Sequence, residues 1–184
     1  MDAKEIIEAF RAPSRLWTRG ELTTRPSPIP PANGIYGWYF DELPSPGIPD
    51  IGTIVGPWAL LYIGIAPGSP GSASNLRKRL RNHLTGNARG STLRLTLGCL
   101  LAERLGISPF VASGKLHFGE AESNLSAWLD VHARVTWVEH PEPWSVEADV
   151  VRGLGVPLNR AHNDAHAFYP VVGDARKRMR DQLR

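Results

Sequence analysis

Two short runs of β-branched and aromatic residues limit how the first half of this chain can fold. The runs at residues 35–40 and 58–63 are bounded by glycine and proline, which predicts two strands that pair antiparallel. Their connection at residues 41–57 is rich in proline and glycine and longer than a usual hairpin loop, so we interpret it as an insertion. Glycine and tyrosine occur at this hairpin in mirrored order, in the triplets Gly34-Ile35-Tyr36 and Tyr62-Ile63-Gly64.

Hydrophobic periodicity predicts helices around a small sheet. A helix at residues 2–11 precedes a proline-rich connector at 26–31, which suits neither a helix nor a central strand. A third strand is predicted at 134–139. Further helices are predicted at 75–85, with Ser72 or Ser74 as its N-cap, and at 91–105, 122–131, 143–154 and 172–182.

These elements predict an α+β fold, in which a three-stranded antiparallel sheet is flanked by helices. With 184 residues, of which 42% are apolar, the chain can bury one core, so we expect a single domain with short extensions. The expected organisation is an N-terminal helix and connector at residues 1–32, a core domain at 33–170 and a basic C-terminal helix at 171–184.

Composition predicts a cytoplasmic protein with no membrane segment. The sequence has no run of about 18 apolar residues, which a membrane span requires. The N-terminus carries acidic residues where a signal peptide would carry an apolar stretch. The single cysteine, Cys99, lies in an apolar run and is expected to be a buried thiol without a chemical role.

Positive charge is concentrated in two parts of the chain. No acidic residue occurs between Asp50 and Glu103, and a second basic cluster at residues 176–184 closes the chain and includes Arg184. This segregation favours a polyanionic partner, although a solvated helix face explains the charge alone equally well. The cations of the first interval are Arg77, Lys78, Arg79, Arg81, Arg89 and Arg94.

The predicted helix at 75–85 has an apolar stripe that separates two kinds of polar position. Leu76, Leu80 and Leu84 form the stripe that faces the core, and Arg77, Lys78 and Arg81 are expected to project to solvent or ligand. On the flank of the stripe lie Arg79 and His83, four residues apart. An isolated pair of this kind is most often a boundary arginine and a half-buried histidine with backbone partners.

Glu147 occupies a position where the periodicity of its predicted helix calls for an apolar side chain. Trp144, Val150, Val151 and Leu154 surround it at helical spacing. A buried carboxylate is costly unless it holds a metal ion or pairs with an arginine. Mg²⁺, an oxygen-liganded cation, and a salt bridge to Arg79 or another arginine are equally good explanations of the pattern.

Two histidines, His162 and His166, lie four residues apart in a predicted loop after Pro157. In a loop this spacing does not guarantee a shared face, and no cysteine is nearby, so a zinc site is disfavoured.

The two triplets, Arg79 with His83, Glu147, and Asn159 in Pro157-Leu158-Asn159 occur in an order that resembles the GIY-YIG endonuclease superfamily. The resemblance implies an endonuclease that hydrolyses DNA phosphodiester bonds with Mg²⁺ or Mn²⁺. It implies that Glu147 holds the metal, that Arg79 contacts the scissile phosphate, and that Asn159 braces the site. Tyr36, Tyr62 and His83 would orient and activate the attacking water. Either tyrosine can be the base, and Asn163 is an alternative brace.

DNA is the expected partner, contacted by the backbone at Gly64 and by four cations. No zinc finger or helix-turn-helix accompanies the predicted catalytic core, so specificity must come from the N-terminal helix, the insertions, a homodimer or a partner protein. The alternative function is a non-catalytic nucleic-acid-binding module with the same fold, and a purely structural domain is a more distant one. The four cations are Arg77, Lys78, Arg81 and Arg89.

Overall fold

The protein's computed structural model describes residues 1–183 and has a central antiparallel sheet with helices on both faces. The predicted α+β class is confirmed. In chain order the elements are α1 (Ala3–Arg11), α2 (Arg19–Leu22), β1 (Gly34–Phe40), β2 (Ile54–Val55), β3 (Trp58–Ala66), α3 (Leu76–Thr85), α4 (Thr92–Leu100), α5 (Ala102–Leu105), β4 (Phe110–Ala112), β5 (Lys115–His117), α6 (Glu122–His132), β6 (Ala133–Glu139), α7 (Glu147–Leu154) and α8 (Tyr169–Asp181).

The main sheet has four strands in the order β2-β3-β1-β6, so the prediction of three strands was wrong. The additional strand, β2, lies inside the predicted insertion at 41–57 and pairs only with Trp58 and Ala59 of β3. A strand of two residues, flanked by turns with glycine and proline, is too short to show the alternating apolar and polar pattern that predicts strands from sequence. A separate hairpin, β4–β5, lies outside this sheet.

Central strand β1 separates two hydrophobic cores, and all of its residues are buried. Ile35 and Tyr39 pack with α1 and α7 on one face. Tyr36, Trp38 and Phe40 pack with α3, α4, α6 and α8 on the other face. Because side chains alternate along a strand, this arrangement sends the tyrosine of the first triplet towards α3.

The paired register of β1 and β3 contains a bulge that orients Tyr62. Trp38 pairs with Tyr62 and Tyr39 pairs with Leu60, so Leu61 has no partner in β1. Leu61 and Tyr62 both join the core on the α3 side of the sheet. A bulge of this kind re-aims the side chains beside it, and here it gives Tyr62 the same face as Tyr36.

Several helix boundaries differ from the predicted ones. The N-cap of α3 is Asn75, whose side chain accepts a hydrogen bond from the Lys78 amide, and not Ser72 or Ser74. The predicted helix at 91–105 is broken at Leu101 into α4 and α5. The C-terminal helix α8 begins at Tyr169, and Arg184 of the predicted basic helix lies outside the described residues.

The N-terminal residues are fixed to the rest of the chain by specific contacts. Helix α1 begins with a capping box between Asp2 and Glu5, and its buried face packs with α7. Farther along, Trp17 pairs with Val135 of β6 through backbone hydrogen bonds. Cys99 is a buried free thiol, as predicted. Within residues 1–183, no helix combines the length and the apolar character needed to cross a membrane.

Candidate active site

A cleft of about 350 Å³ opens where the two tyrosine-bearing strands meet α3 and the first residue of α7. Since a water molecule occupies about 30 Å³ in the liquid, this volume admits a phosphate group together with several waters. Four functional side chains reach it from four separate elements. The residues that line the cleft are Tyr36, Tyr62, Gly64, Ile65, Gly68, Ser74, Arg79 and Glu147.

A buried chain of hydrogen bonds leads from the cleft into the core. The Tyr36 hydroxyl lies 2.7 Å from Nε2 of His83, and Nδ1 of the same ring lies 2.6 Å from Oγ of Ser91. Burial, together with the charges of Arg79 and Arg94, lowers the pKa of His83 well below its ordinary value. The imidazole is therefore neutral at neutral pH, with one nitrogen donating and the other accepting.

A buried ion pair holds the far end of this chain. Arg94 is fully buried, and its Nε and one terminal nitrogen donate to Oε2 of Glu122 at 3.0 and 2.8 Å. Another terminal nitrogen donates to the carbonyl of His83, while the Arg94 amide donates to Ser91 Oγ. The backbone of His83 and the hydroxyl of Ser91 are thus fixed by the same arginine.

Arg79 lies between the cleft and the loop that follows α3. Its Nε donates to the Tyr36 hydroxyl at 3.3 Å, and a terminal nitrogen donates to the Gly90 carbonyl at 3.2 Å. Burial by itself lowers the pKa of Arg79, but the neighbouring Tyr36 and Tyr62 hydroxyls raise it overall. The guanidinium is therefore positively charged at every working pH.

Both tyrosines of the cleft keep their protons in the free protein. Burial is the main cause that raises the pKa of Tyr36 and the pKa of Tyr62 above the ordinary value. A neighbouring proton acceptor is needed before either oxygen can act as a base. For Tyr36 the structure provides one at 2.7 Å, the imidazole of His83.

Within the described part of the chain, Glu147 is the only carboxylate that lines the cleft. The residue is the first of α7, after a 3₁₀ turn at Pro143–Ser145, so the predicted mid-helix position was wrong. Its side chain is 22% exposed, and its Oε2 lies 3.8 Å from Nε2 of His162. Burial raises the pKa of Glu147, an effect that His162 partly opposes. No arginine forms an ion pair with it among the described residues.

Asn159 lies behind the cleft, where its side chain forms hydrogen bonds with the backbone of β3 at a part of the edge that no strand of residues 1–183 pairs with. Its Oδ1 accepts from the Ile63 amide at 2.9 Å, and its Nδ2 donates to the Ile63 carbonyl at 2.8 Å. The side chain thereby replaces a neighbouring strand between Tyr62 and Gly64. Asn163, the alternative brace, instead donates to the Val156 and Asn159 carbonyls and supports the loop that carries Asn159.

Comparison with known protein families agrees with this geometry. The sequence model of the GIY-YIG catalytic domain matches residues 34–178. The chain belongs to the GIY-YIG family. The family indicates nuclease activity and confirms the resemblance seen in the two triplets. Searches of curated proteins and of solved structures found no match.

In this GIY-YIG domain, each triplet needs its glycine because another group occupies the place of a side chain. A Cβ on Gly64 would lie 2.3 Å from the Tyr36 hydroxyl, and a Cβ on Gly34 would lie 2.3 Å from the Val138 carbonyl oxygen. Gly64 was expected to let the backbone approach DNA. In the structure, the space beside Gly64 is filled by Tyr36 itself.

The cations predicted to bind DNA lie outside the cleft of the GIY-YIG domain. Arg81 and Arg89 are exposed. Lys78 is also exposed and donates through Nζ to the Ala73 carbonyl. Arg77 does not project freely as expected, because its Nε donates to the Ile29 carbonyl at 2.6 Å and its side chain is half-buried.

The sequence patterns did not predict the residues behind the cleft. Ser91 precedes a helix and caps it, which a sequence pattern can reveal, but its contact with His83 joins two helices and leaves no such pattern. Arg94 and Glu122 are separated by 28 positions, so their pairing is equally invisible. Around His162 and His166, and elsewhere in residues 1–183, there is no group of three or more histidine, cysteine, aspartate or glutamate side chains of the kind that zinc sites use.

Proposed function

We propose that this chain is an endonuclease that hydrolyses DNA phosphodiester bonds with the aid of Mg²⁺ or Mn²⁺. One observation carries the proposal: two tyrosines, an arginine and a lone carboxylate line the same cleft although four different elements supply them. A phosphate in this cleft would have a fixed positive charge at Arg79, an oxygen ligand for a cation at Glu147, and phenolic oxygens for the attacking water.

The donor set of the cleft fits a magnesium ion. Mg²⁺ is usually bound through one or two carboxylates and completes its coordination with water and substrate phosphate. Glu147 would supply that carboxylate. Its pKa is raised by burial and no arginine of residues 1–183 pairs with it, which agrees with a carboxylate that binds a cation. When bound, the ion would stabilise charge on the phosphate oxygens and make bound water more acidic.

The remaining side chains divide the work on the nucleophile and the phosphate. As the water oxygen bonds to phosphorus and the P–O bond to the leaving strand end breaks, the Tyr36 oxygen takes a proton from the attacking water and the Tyr36 proton moves to Nε2 of His83, whose Nδ1–H donates to Ser91 Oγ. The leaving oxygen takes its proton from solvent water. Arg79 stabilises the charge that develops on the phosphoryl oxygens. Tyr62 remains the alternative base, because it lines the same cleft.

An assay of the purified protein on supercoiled, linear and branched DNA, each with Mg²⁺ and with chelator, tests this function. We expect strand breaks with Mg²⁺ and none with chelator, and the three substrates reveal which DNA structure is preferred. Binding without breaks under any metal condition would refute the endonuclease and support the non-catalytic binding module.

Gly64→Ala is expected to lower cleavage about a hundredfold, because the new methyl group displaces the Tyr36 hydroxyl from the cleft. Gly68→Ala is the matched control, since Gly68 lines the same cleft but a Cβ there meets no atom within 4 Å. Cleavage rates of the two variants on one plasmid decide the point. Equal rates would show that the position of Tyr36 does not limit the reaction.

Ser91→Ala is expected to reduce kcat about tenfold without changing DNA affinity, because Ser91 Oγ fixes which nitrogen of His83 faces Tyr36. The same hydroxyl caps α4, so the substitution also costs about 1 kcal/mol of stability. Ser91→Thr keeps the hydroxyl and should restore kcat. If Ser91→Ala shows this loss of stability without a change in kcat, Ser91 has a structural role only.

A further inference from the structure

A second cavity, of about 210 Å³, lies between the N-terminal residues 22–29 and helix α3. Residues 22–29 lie outside the part of the chain, residues 34–178, that matches the GIY-YIG family model. The cavity is lined by polar and cationic side chains, among them Thr23, Thr24, Arg25, Ser27, Arg77 and Arg81.

The charge of this cavity has one sign. Arg25, Arg77 and Arg81 line it together with no acidic residue. None of the three forms an ion pair with a carboxylate within the described part of the chain. Like charges held together without a carboxylate attract an anion, and guanidinium groups bind phosphate oxygens through pairs of parallel hydrogen bonds.

The walls of the cavity are fixed before any ligand arrives. Nε of Arg77 donates to the Ile29 carbonyl at 2.6 Å, which leaves the two terminal nitrogens of this guanidinium for a ligand. Ser27 Oγ donates to the Leu22 carbonyl at 3.1 Å and closes the connecting turn. At the other end, Arg19 Nε donates to the Leu84 carbonyl at 2.6 Å. Arg77 and the backbone around it are therefore positioned in advance, which reduces the entropy lost on binding.

The cavity and the catalytic cleft lie on the two flanks of the same helix. At about 100° per residue, Arg77 and Arg81 lie on one side of the leucine stripe of α3, and Arg79 and His83 lie on the other. A helix with its side chains is about 10–12 Å wide. One DNA strand advances about 3.4 Å per nucleotide, so about three nucleotides separate contacts on the two flanks.

We propose that this cavity binds a backbone phosphodiester of the same DNA whose scissile phosphate lies in the cleft. The N-terminal residues then supply a second phosphate site, which sets where the strand lies relative to Arg79. This inference rests on the proposed DNA substrate but does not require that the cleft be catalytically active.

Salt-dependent DNA binding in chelator tests the cavity. The change is Arg25→Gln with Arg81→Gln, and the matched control is Lys4→Gln with Arg152→Gln, two exposed cations on other helices. The cavity holds one phosphodiester, and each lost phosphate contact lowers the slope of log affinity against log salt by about 0.9, so the cavity variant should lose about 0.9 and the control nothing. A slope equal to that of the wild type, or to that of the control, overturns the proposal.

Two further measurements keep the outcome unambiguous. Arg25→Lys with Arg81→Lys retains the charge and should restore the slope, which excludes misfolding as the cause.

If millimolar inorganic phosphate raises the Tm of the wild type but not of the cavity variant, while their DNA slopes agree, the ligand is free phosphate and the DNA assignment is wrong. A reduced slope without cleavage in Mg²⁺ would refute the endonuclease alone, and cleavage with a wild-type slope would refute the cavity site alone.

Discussion

Arg79→Ala is expected to lower the rate of DNA cleavage about a hundredfold or more at saturating DNA, because it removes the fixed charge that stabilises the transition state. Among the described residues, Arg79 is the only cation whose side chain lines the cleft, and its Nε also donates to the Tyr36 hydroxyl. DNA affinity in chelator should change far less, since one phosphate contact contributes little to binding of a whole duplex. Single-turnover rates and equilibrium binding measure the two effects separately.

Arg152→Ala is the control for this variant, because it removes an arginine whose side chain is 63% exposed on α7. Its cleavage rate should match that of the wild type. Arg79→Lys retains the charge but loses the planar donor to Tyr36, so an intermediate rate is expected. Equal rates for Arg79→Ala and Arg152→Ala would remove Arg79 from the reaction.

Glu147→Gln is expected to abolish Mg²⁺-dependent cleavage and to leave DNA binding in chelator intact. Burial raises the pKa of Glu147, so the folded protein keeps this proton more readily than the unfolded chain. Above the raised pKa, the ionised group therefore costs stability. In chelator near pH 7, the variant should melt at the same temperature as the wild type or up to about 3 °C higher, which corresponds to about 1 kcal/mol. This difference should shrink as the pH falls through the pKa of Glu147.

Asp149→Asn provides the control on the same helix, because Asp149 is 73% exposed and forms an ion pair with Arg152 at 3.9 Å, outside the cleft. It should alter neither cleavage nor melting. Mg²⁺ should raise the Tm of the wild type and of the control, but not the Tm of Glu147→Gln. A large destabilisation of Glu147→Gln in chelator, combined with unaltered nuclease activity, would mean that Glu147 serves the fold through His162 and holds no metal.

Local sequence patterns correctly predicted the features that depend on a single strand or helix. The β-branched and aromatic runs predicted β1 and β3, and helical spacing placed Arg79 and His83 on one flank of the leucine stripe of α3. Successive side chains of the first triplet point towards different cores. Tyr36 therefore lies on the face of the sheet where it contacts His83. These features depend on residues near one another in sequence, and hydrophobic periodicity shows which of those residues share a face of a strand or helix.

Contacts between residues that are far apart in the sequence were not predicted. Glu147 was expected within a helix, but Val146 ends a 3₁₀ turn and Glu147 starts α7 at the cleft, where its Oε2 lies 3.8 Å from Nε2 of His162. The cavity beside Arg77 depends on Ile29, which is 48 positions away. Neither contact leaves a spacing that a single sequence can reveal.

The most direct test of the central claim is the rate at which supercoiled plasmid is cut by wild type, Arg79→Ala and Lys4→Gln, purified in parallel and assayed over a range of Mg²⁺ concentrations. Lys4 is exposed on α1, on the face of the fold opposite α3, and makes no contact with the cleft. We predict that wild type and Lys4→Gln cut at equal rates that rise with Mg²⁺ and vanish in chelator, while Arg79→Ala stays near background. Equal cutting by all three proteins, or none by the wild type at any Mg²⁺ concentration, would contradict the assignment of this cleft as a metal-dependent nuclease site.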